Sequence, residues 1–352
     1  MNQKLKYGII GTGGIAMGKH LPGYSSLKDD VEIVAACDIN EERLKKAGFK
    51  YNIPNLFTDY NDLLAMKEID MVSVCLPNYL HAPVTIDALK AGKHVHCEKP
   101  MAIDGKAAQE MLYAKNETGR KLMIGLNNRF TPVSQYVKKF IEDGNLGDIY
   151  YAKCGWLRRR GLPANEWFQI KELSGGGPLI DLGVHYMDLV LYFLNYPELK
   201  SAVARTYNKI GGTDTARLYA YQGGSQPGWK YNVEDLIAGF LELENDVSVS
   251  FEISWASNVE KEEMFYEIYG TKANIRFNSD KLDIFSVVNE QFADIYPAIE
   301  SSLYQDNEFK HFVTCIRNDC DPSISIVEQA ANMMNVVDAI YRSADERRQI
   351  RI

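Results

Sequence analysis

No face of this chain carries the density of lysine and arginine that a phosphate backbone demands. Its 47 acidic residues outnumber 39 basic ones, for a formal net charge of -8 at pH 7. That balance argues against nucleic acid as a partner. The longest basic run, Arg158-Arg159-Arg160, suits a small anionic or hydroxyl-rich ligand instead. Cysteine is equally sparse: Cys37, Cys75, Cys97, Cys154, Cys315 and Cys320 are scattered, with no Cys-x-x-Cys pair, and read as reduced core residues rather than a disulfide framework. There is no apolar run of the roughly 20 residues a membrane-spanning helix requires. The segment from Met1 to Ile10 passes from a short basic lead into a strand pattern without a leader's apolar stretch, so a cytoplasmic protein with no membrane partner is expected. Internal repeats and low-complexity tracts are missing. So is any His/Cys/carboxylate cluster at ligand spacing, and no metal is expected.

What remains is an ordinary globular composition, 46% hydrophobic and 24% charged over 352 residues, long enough for two cores. The first third alternates short apolar runs with amphipathic segments, the rhythm of a parallel sheet covered by helices. Strands are expected at Leu5 to Ile10, Glu32 to Cys37, Met71 to Cys75, His94 to His96 and Lys121 to Ile124. Helices over Thr85 to Lys90 and Lys106 to Glu117 stop at Gly92 and Gly119. After Asn127 the texture changes to a helix (Phe130 to Asp143) and then longer strands, at Asp148 to Trp156, Leu236 to Glu244 and Val247 to Trp255. These suggest a mainly antiparallel second sheet. Tyr207 to Asn232 reads as an exposed loop region, and Phe309 to Ile316 and Val327 to Ser343 as closing helices. The expected division is 1–127, a doubly wound Rossmann domain, and 128–352, an α/β domain for substrate and oligomerisation.

Directly after the first strand stands Gly11-Thr12-Gly13-Gly14-Ile15-Ala16, a G-x-G-x-x-A pattern opening a helix. Gly11 permits the tight turn, Gly13 lets backbone approach a pyrophosphate, and Ala16 allows close helix-sheet packing, with the helix N-terminus facing the anion. The second strand ends in Cys37-Asp38, the separation expected of an acid that accepts both ribose hydroxyls and repels a 2′-phosphate. NAD is therefore favoured over NADP, although Arg43 could neutralise such a phosphate. Leu76-Pro77-Asn78 lies at a strand's C-terminal end, where doubly wound sheets bind ligands. The expected cofactor contacts are Gly11, Gly13, Gly14, Ile15, Asp38, Leu76, Asn78, His81, Glu98 and Lys99.

Two further motifs narrow the reading: Glu98-Lys99-Pro100, and Gly175-Gly176-Gly177-Pro178-Leu179-Ile180-Asp181-Leu182-Gly183-Val184-His185. Together with Gly11 to Ala16, in this order and over essentially the whole chain, they resemble the glucose-fructose oxidoreductase/inositol dehydrogenase/MocA family. The resemblance implies a Rossmann domain followed by an α/β domain with a large open sheet, commonly assembled into dimers or tetramers through that sheet. It also implies oxidation of a sugar or polyol hydroxyl by NAD, with Lys99, Asp181 and His185 in approximately the roles derived next.

Asp181 and His185 stand four apart in an expected helix and so share a face. A histidine titrates near neutral pH and suits removal of a hydroxyl proton while hydride leaves the same carbon. His185 is the candidate base, Asp181 its orienter or a substrate acceptor, and Asp188 a supporting group. Lys99 places positive charge beside the reacting oxygen and anchors substrate. Arg159 and Trp167 are the candidate substrate contacts from the preceding loop, and Arg129 is a weaker one. A redox-neutral enzyme using tightly bound NAD transiently, or a non-catalytic NAD-binding regulator, shares much of this pattern. Retention of Lys99, Asp181 and His185 together argues against the regulator.

Overall fold

The computed structural model describes residues 3–213, 228–300, 302 and 307–352. Part of the loop read at Tyr207 to Asn232, residues 214–227, lies outside the described residues. The chain divides into two compact units, 1–127 with 306–334, and 128–305 with 335–352.

The first unit is built on a six-stranded parallel sheet of β1 (Leu5–Ile10), β2 (Val31–Cys37), β3 (Asn55–Phe57), β4 (Met71–Val74), β5 (His94–Cys97) and β6 (Leu122–Ile124), in the order β3-β2-β1-β4-β5-β6. The strand order reverses at β1 and β4, which in open α/β sheets is where ligands bind. All of β4 and the last four residues of β1 are buried. This is why they read as continuous apolar runs rather than alternating ones. Local chemistry sets the helix ends. Asn40 caps α1 (Glu41–Tyr51) by accepting the Arg43 N–H, and Asp104 caps α2 (Gly105–Thr118) through Ala107. The helix expected from Thr85 begins seven residues earlier, as α3 (Asn78–Lys90), despite Pro83. Burial of His81, Ala82, Val84 and Thr85 outweighs the missing proline N–H. The edge strand β3 has no buried position, so it leaves no apolar run to read.

A helix near the C-terminus, α4 (Glu308–Arg317), belongs to this first unit, so the expected span 128–352 is interrupted there. Phe309 provides the reason. Its ring lies 5.0 Å from Tyr24, 5.5 Å from His20 and 5.7 Å from His96, closing over a buried cluster beside the sheet.

The second unit holds a nine-stranded sheet: β7 (Ile149–Leu157), β8 (Leu199–Tyr207), β9 (Leu236–Leu243), β10 (Ser248–Ser254), β11 (Glu263–Gly270), β12 (Ala273–Asn278), β13 (Lys281–Val288), β14 (Gln291–Ile295) and β15 (Ile350–Arg351). Their order is β14-β13-β12-β11-β7-β10-β9-β8-β15. Every pairing is antiparallel except β7 with β10. The chain thus ends on a short edge strand rather than in a helix. The apolar helix α5 (Val184–Phe193) packs on this sheet against β7 and β11. Five cysteines are buried and all six are free. Cys320 is exposed, which corrects its reading as a core residue; it follows the end of α4 in a polar turn. Among the described residues no helix is long and apolar enough to cross a membrane. No group of three His, Cys, Asp or Glu side chains is placed to hold a metal ion, again among the described residues.

Candidate active site

In the first unit the glycine turn is shaped by contact. Gly11 has φ +90°, and a Cβ there would stand 2.2 Å from the Cys75 carbonyl oxygen, so only glycine fits. A Cβ on Gly13 or Gly14 would meet nothing within 4 Å. The sequence therefore keeps open space where a helix begins, as a pyrophosphate cradle requires. That helix contains a π-turn over Ala16–His20, a widening common at functional sites.

Asp38 is half-buried beside this turn. Its Oδ2 accepts the Thr12 N–H at 2.7 Å and the Thr12 hydroxyl at 2.9 Å, and its Oδ1 accepts the Asn40 N–H at 2.8 Å. Oδ2 thus has both lone pairs engaged, while Oδ1 keeps one with which the fixed group can accept a ribose hydroxyl. Ile15 is 43% exposed at the same edge. This open cradle, with an acid at the end of the second strand, fits a dinucleotide.

The other expected cofactor residues divide. Leu76 is half-buried at the end of β4, followed by buried Asn78 at the start of α3. His81 is buried, with Nδ1 2.7 Å from the Pro100 carbonyl oxygen and Nε2 2.8 Å from that of Leu76. Its ring thus lies between the segments that follow β4 and β5. Burial pushes its imidazole below the ordinary value, against the pull of those two carbonyls. Glu98 also turns inward. Its Oε1 is 2.8 Å from His20 Nε2, and its Oε2 accepts the Lys99 N–H at 3.2 Å. Burial would raise this carboxyl, but the His20 hydrogen bond and the charges of His20, Lys19 and Lys99 hold it well below the usual carboxylate range. Lys99 follows on a cis peptide bond to Pro100.

In the second unit, Asp181 lies in a π-turn, Leu179–Gly183, and His185 in the first turn of α5. Asp181 is buried and its Oδ2 accepts the Trp255 indole N–H at 2.9 Å. His185 is half-buried, its ring 5.8 Å from Trp156. Trp156 donates to Glu262 at 2.6 Å, Arg158 donates to the same oxygen at 3.0 Å, and the Arg158 guanidinium lies over the Trp156 ring. Trp255 and Glu262 were not legible from sequence: each lies far along the chain from its partner, in no motif.

The glycine run before Asp181 is clamped. Buried Glu234 accepts the N–H groups of Gly177 and Leu179 and the Tyr341 hydroxyl, the last at 2.8 Å. A Cβ on Gly176 would stand 1.9 Å from the Tyr341 oxygen, and one on Gly177 2.3 Å from the Glu234 carbonyl. Among the substrate candidates, Trp167 stacks on Phe168 at 3.7 Å, and exposed Arg159 reaches the Glu260 carbonyl at 3.4 Å. Arg129 is fully buried in a bidentate pair with Asp188, at 2.8 and 2.6 Å, which Tyr196 also joins. That pairing gives buried Arg129 a carboxylate partner and Asp188 a guanidinium one.

A family model described as "Oxidoreductase family, NAD-binding Rossmann fold" matches residues 5–126, and its companion, "Oxidoreductase family, C-terminal alpha/beta domain", matches residues 138–352. D-glucoside 3-dehydrogenase of Escherichia coli (strain K12) is 31% identical over 348 residues, 97% of this chain and 95% of that protein. Levoglucosan dehydrogenase of Pseudarthrobacter phenanthrenivorans is 29% identical over 302 residues, 81% of this chain and 76% of that one. Among solved structures, the aldose-aldose oxidoreductase from Caulobacter crescentus complexed with glycerol superposes with a TM-score of 0.80 at 25% identity, covering 99% of this chain and 100% of that one.

Proposed function

Because the chain belongs to the glucose-fructose oxidoreductase/inositol dehydrogenase/MocA family of oxidoreductases, with an NAD-binding first domain, we propose that it is an NAD-dependent dehydrogenase of a secondary hydroxyl on a sugar, polyol or glycoside. The observation that carries the reading is the helix presenting His185 beside Trp156, with Asp181 pinned one turn earlier by Trp255. The likeness to a D-glucoside 3-dehydrogenase supports a glycoside as the first substrate to try.

The nicotinamide supplies the hydride acceptor. His185 takes the hydroxyl proton onto an imidazole nitrogen as the same carbon gives up its hydride, so that a C–H bond and an O–H bond are exchanged for the carbonyl. Lys99 places its ammonium charge on the developing alkoxide. Asp181, its carboxylate fixed by the Trp255 indole, accepts a hydrogen bond from substrate or imidazole. Gly11, Gly13, Gly14 and Ile15 hold the pyrophosphate end, with Leu76 and Asn78 bordering the groove. The negative charge of Asp38 favours NAD over NADP. Arg159 and the Trp167–Phe168 stack contact the sugar, the stack presenting an apolar ring face to its C–H groups.

The test is a panel of glycosides, aldoses, polyols and sugar acids with NAD or NADP, following nicotinamide absorbance and analysing products. We expect reduction of NAD by one chemical group of sugars. In His185→Ala, NADH affinity is retained while turnover falls by roughly 100-fold or more; unchanged turnover would sink the assignment. The likeness to an aldose-aldose oxidoreductase favours one second reading, a redox-neutral reaction with retained NAD. Cofactor that copurifies without exchange, together with product formed without net reduction, would select it.

A further inference from the structure

Two buried histidines hold the Glu98-Lys99-Pro100 segment, one at each end. His20 places Nε2 2.8 Å from Glu98 Oε1 and Nδ1 2.9 Å from Ser73 Oγ. With the proton on Nε2, it donates to the carboxylate and accepts from the serine. The other Glu98 oxygen accepts the N–H of Lys99 itself at 3.2 Å. Across Lys99, the Pro100 carbonyl lies 2.7 Å from His81 Nδ1, while Nε2 of that ring is 2.8 Å from the Leu76 carbonyl. Neither ring reaches solvent, His20 being 0% and His81 1% exposed.

We propose that His20 and His81 are positioning residues for Lys99, fixing the backbone on either side of it so that the ammonium meets the substrate oxygen at one place. The proposal rests on the reading that Lys99 acts on substrate. A lysine is a point charge on a flexible four-carbon stem, so its placement depends on how firmly its own backbone is held. Burying a carboxylate such as Glu98 is costly unless its oxygens are hydrogen-bonded, as Oε1 is to His20. Here its remaining hydrogen-bonding capacity goes to the Lys99 N–H rather than to another part of the core. With the proton on Nδ1, His81 donates from α3 to the Pro100 carbonyl and so ties the loop after β5 to the helix that follows β4.

The chemistry of amide replacements makes a sharp test, because an asparagine nitrogen imitates imidazole Nδ1 and a glutamine nitrogen imitates Nε2. At position 20 the bond that matters is made by Nε2, so His20→Gln keeps turnover and His20→Asn loses it. At position 81 it is made by Nδ1, so the order reverses: His81→Asn keeps turnover and His81→Gln loses it. In the full-length enzyme, with the sugar identified by the panel, the losing variants are expected to drop kcat by about 10-fold or more, with NADH affinity by fluorescence titration changed less than about threefold. In a Lys99→Ala background the same substitutions should cost nothing further. The same preference at both positions, or equal fold-losses with and without Lys99, would overturn the proposal while leaving the role of Lys99 intact. Wild-type turnover in Lys99→Ala alone would overturn the role of Lys99 and the proposal with it.

Discussion

Two glycines two positions apart make opposite demands on the turn after β1. Gly11 is required by the protein's own fold: a methyl group there collides with the Cys75 carbonyl and sits at a φ that side chains avoid. Gly13 faces open space, so its methyl would collide only with what binds there. Gly13→Ala should therefore leave the denaturant midpoint of the apoprotein close to wild type and raise the Kd for NADH about 10-fold or more, read by fluorescence titration. Gly11→Ala should lower both stability and affinity. Equal NADH affinity in Gly13→Ala would show that the space is not the cofactor's. At this scale the sequence was legible wherever spacing alone carries meaning. The tight turn at Gly11 and the placement of Asp38 beside it are such cases. It was silent on Trp255 and Glu262, whose partners are set by strand pairing in a sheet with long connections, and on the inward turn of Glu98 and His81.

The helices that carry His20 and Asp181 both contain a π-turn, and periodicity at 3.6 residues does not announce one. Helix existence was readable from apolar spacing, but not the start of α3 ahead of Pro83 or the strand β3, where packing decides. The loop into α5 depends on side chains brought from afar. Tyr341 and two backbone N–H groups satisfy the Glu234 carboxyl, which burial pushes above its ordinary value even against those bonds. Tyr341→Phe removes one of these donors without changing shape. It should lower stability by about 1–3 kcal/mol in urea denaturation, and reduce kcat more than NADH affinity, because the clamp lies in the unit that carries His185. A loss confined to NADH affinity would place its influence elsewhere.

Across the whole molecule, several histidines are kept neutral. Burial, then the Arg120 and Lys121 charges, pushes His94 down to about 4, and its Nδ1 accepts the Lys121 N–H at 3.0 Å, which needs a free lone pair. His96 is pushed well below its ordinary value, chiefly by burial, and His81 is lowered too. A folded-state value below the unfolded one means that the unfolded chain binds more protons between the two. Stability from these groups is thus complete above about pH 6.5 and lost as pH falls toward 4. Urea midpoints should decline across that window, and His94→Gln should flatten part of the slope; a flat profile from pH 7 to 4.5 would contradict it. The interrupted first unit also orders events during synthesis. The ribosome releases β1 to β6 early, yet Phe309, which covers Tyr24, His20 and His96, emerges only after β14. The nucleotide domain begins before the second sheet and is completed only after β14. A nascent chain arrested after residue 127 would display an uncovered aromatic and imidazole cluster, a handle for chaperones and proteases until Phe309 emerges.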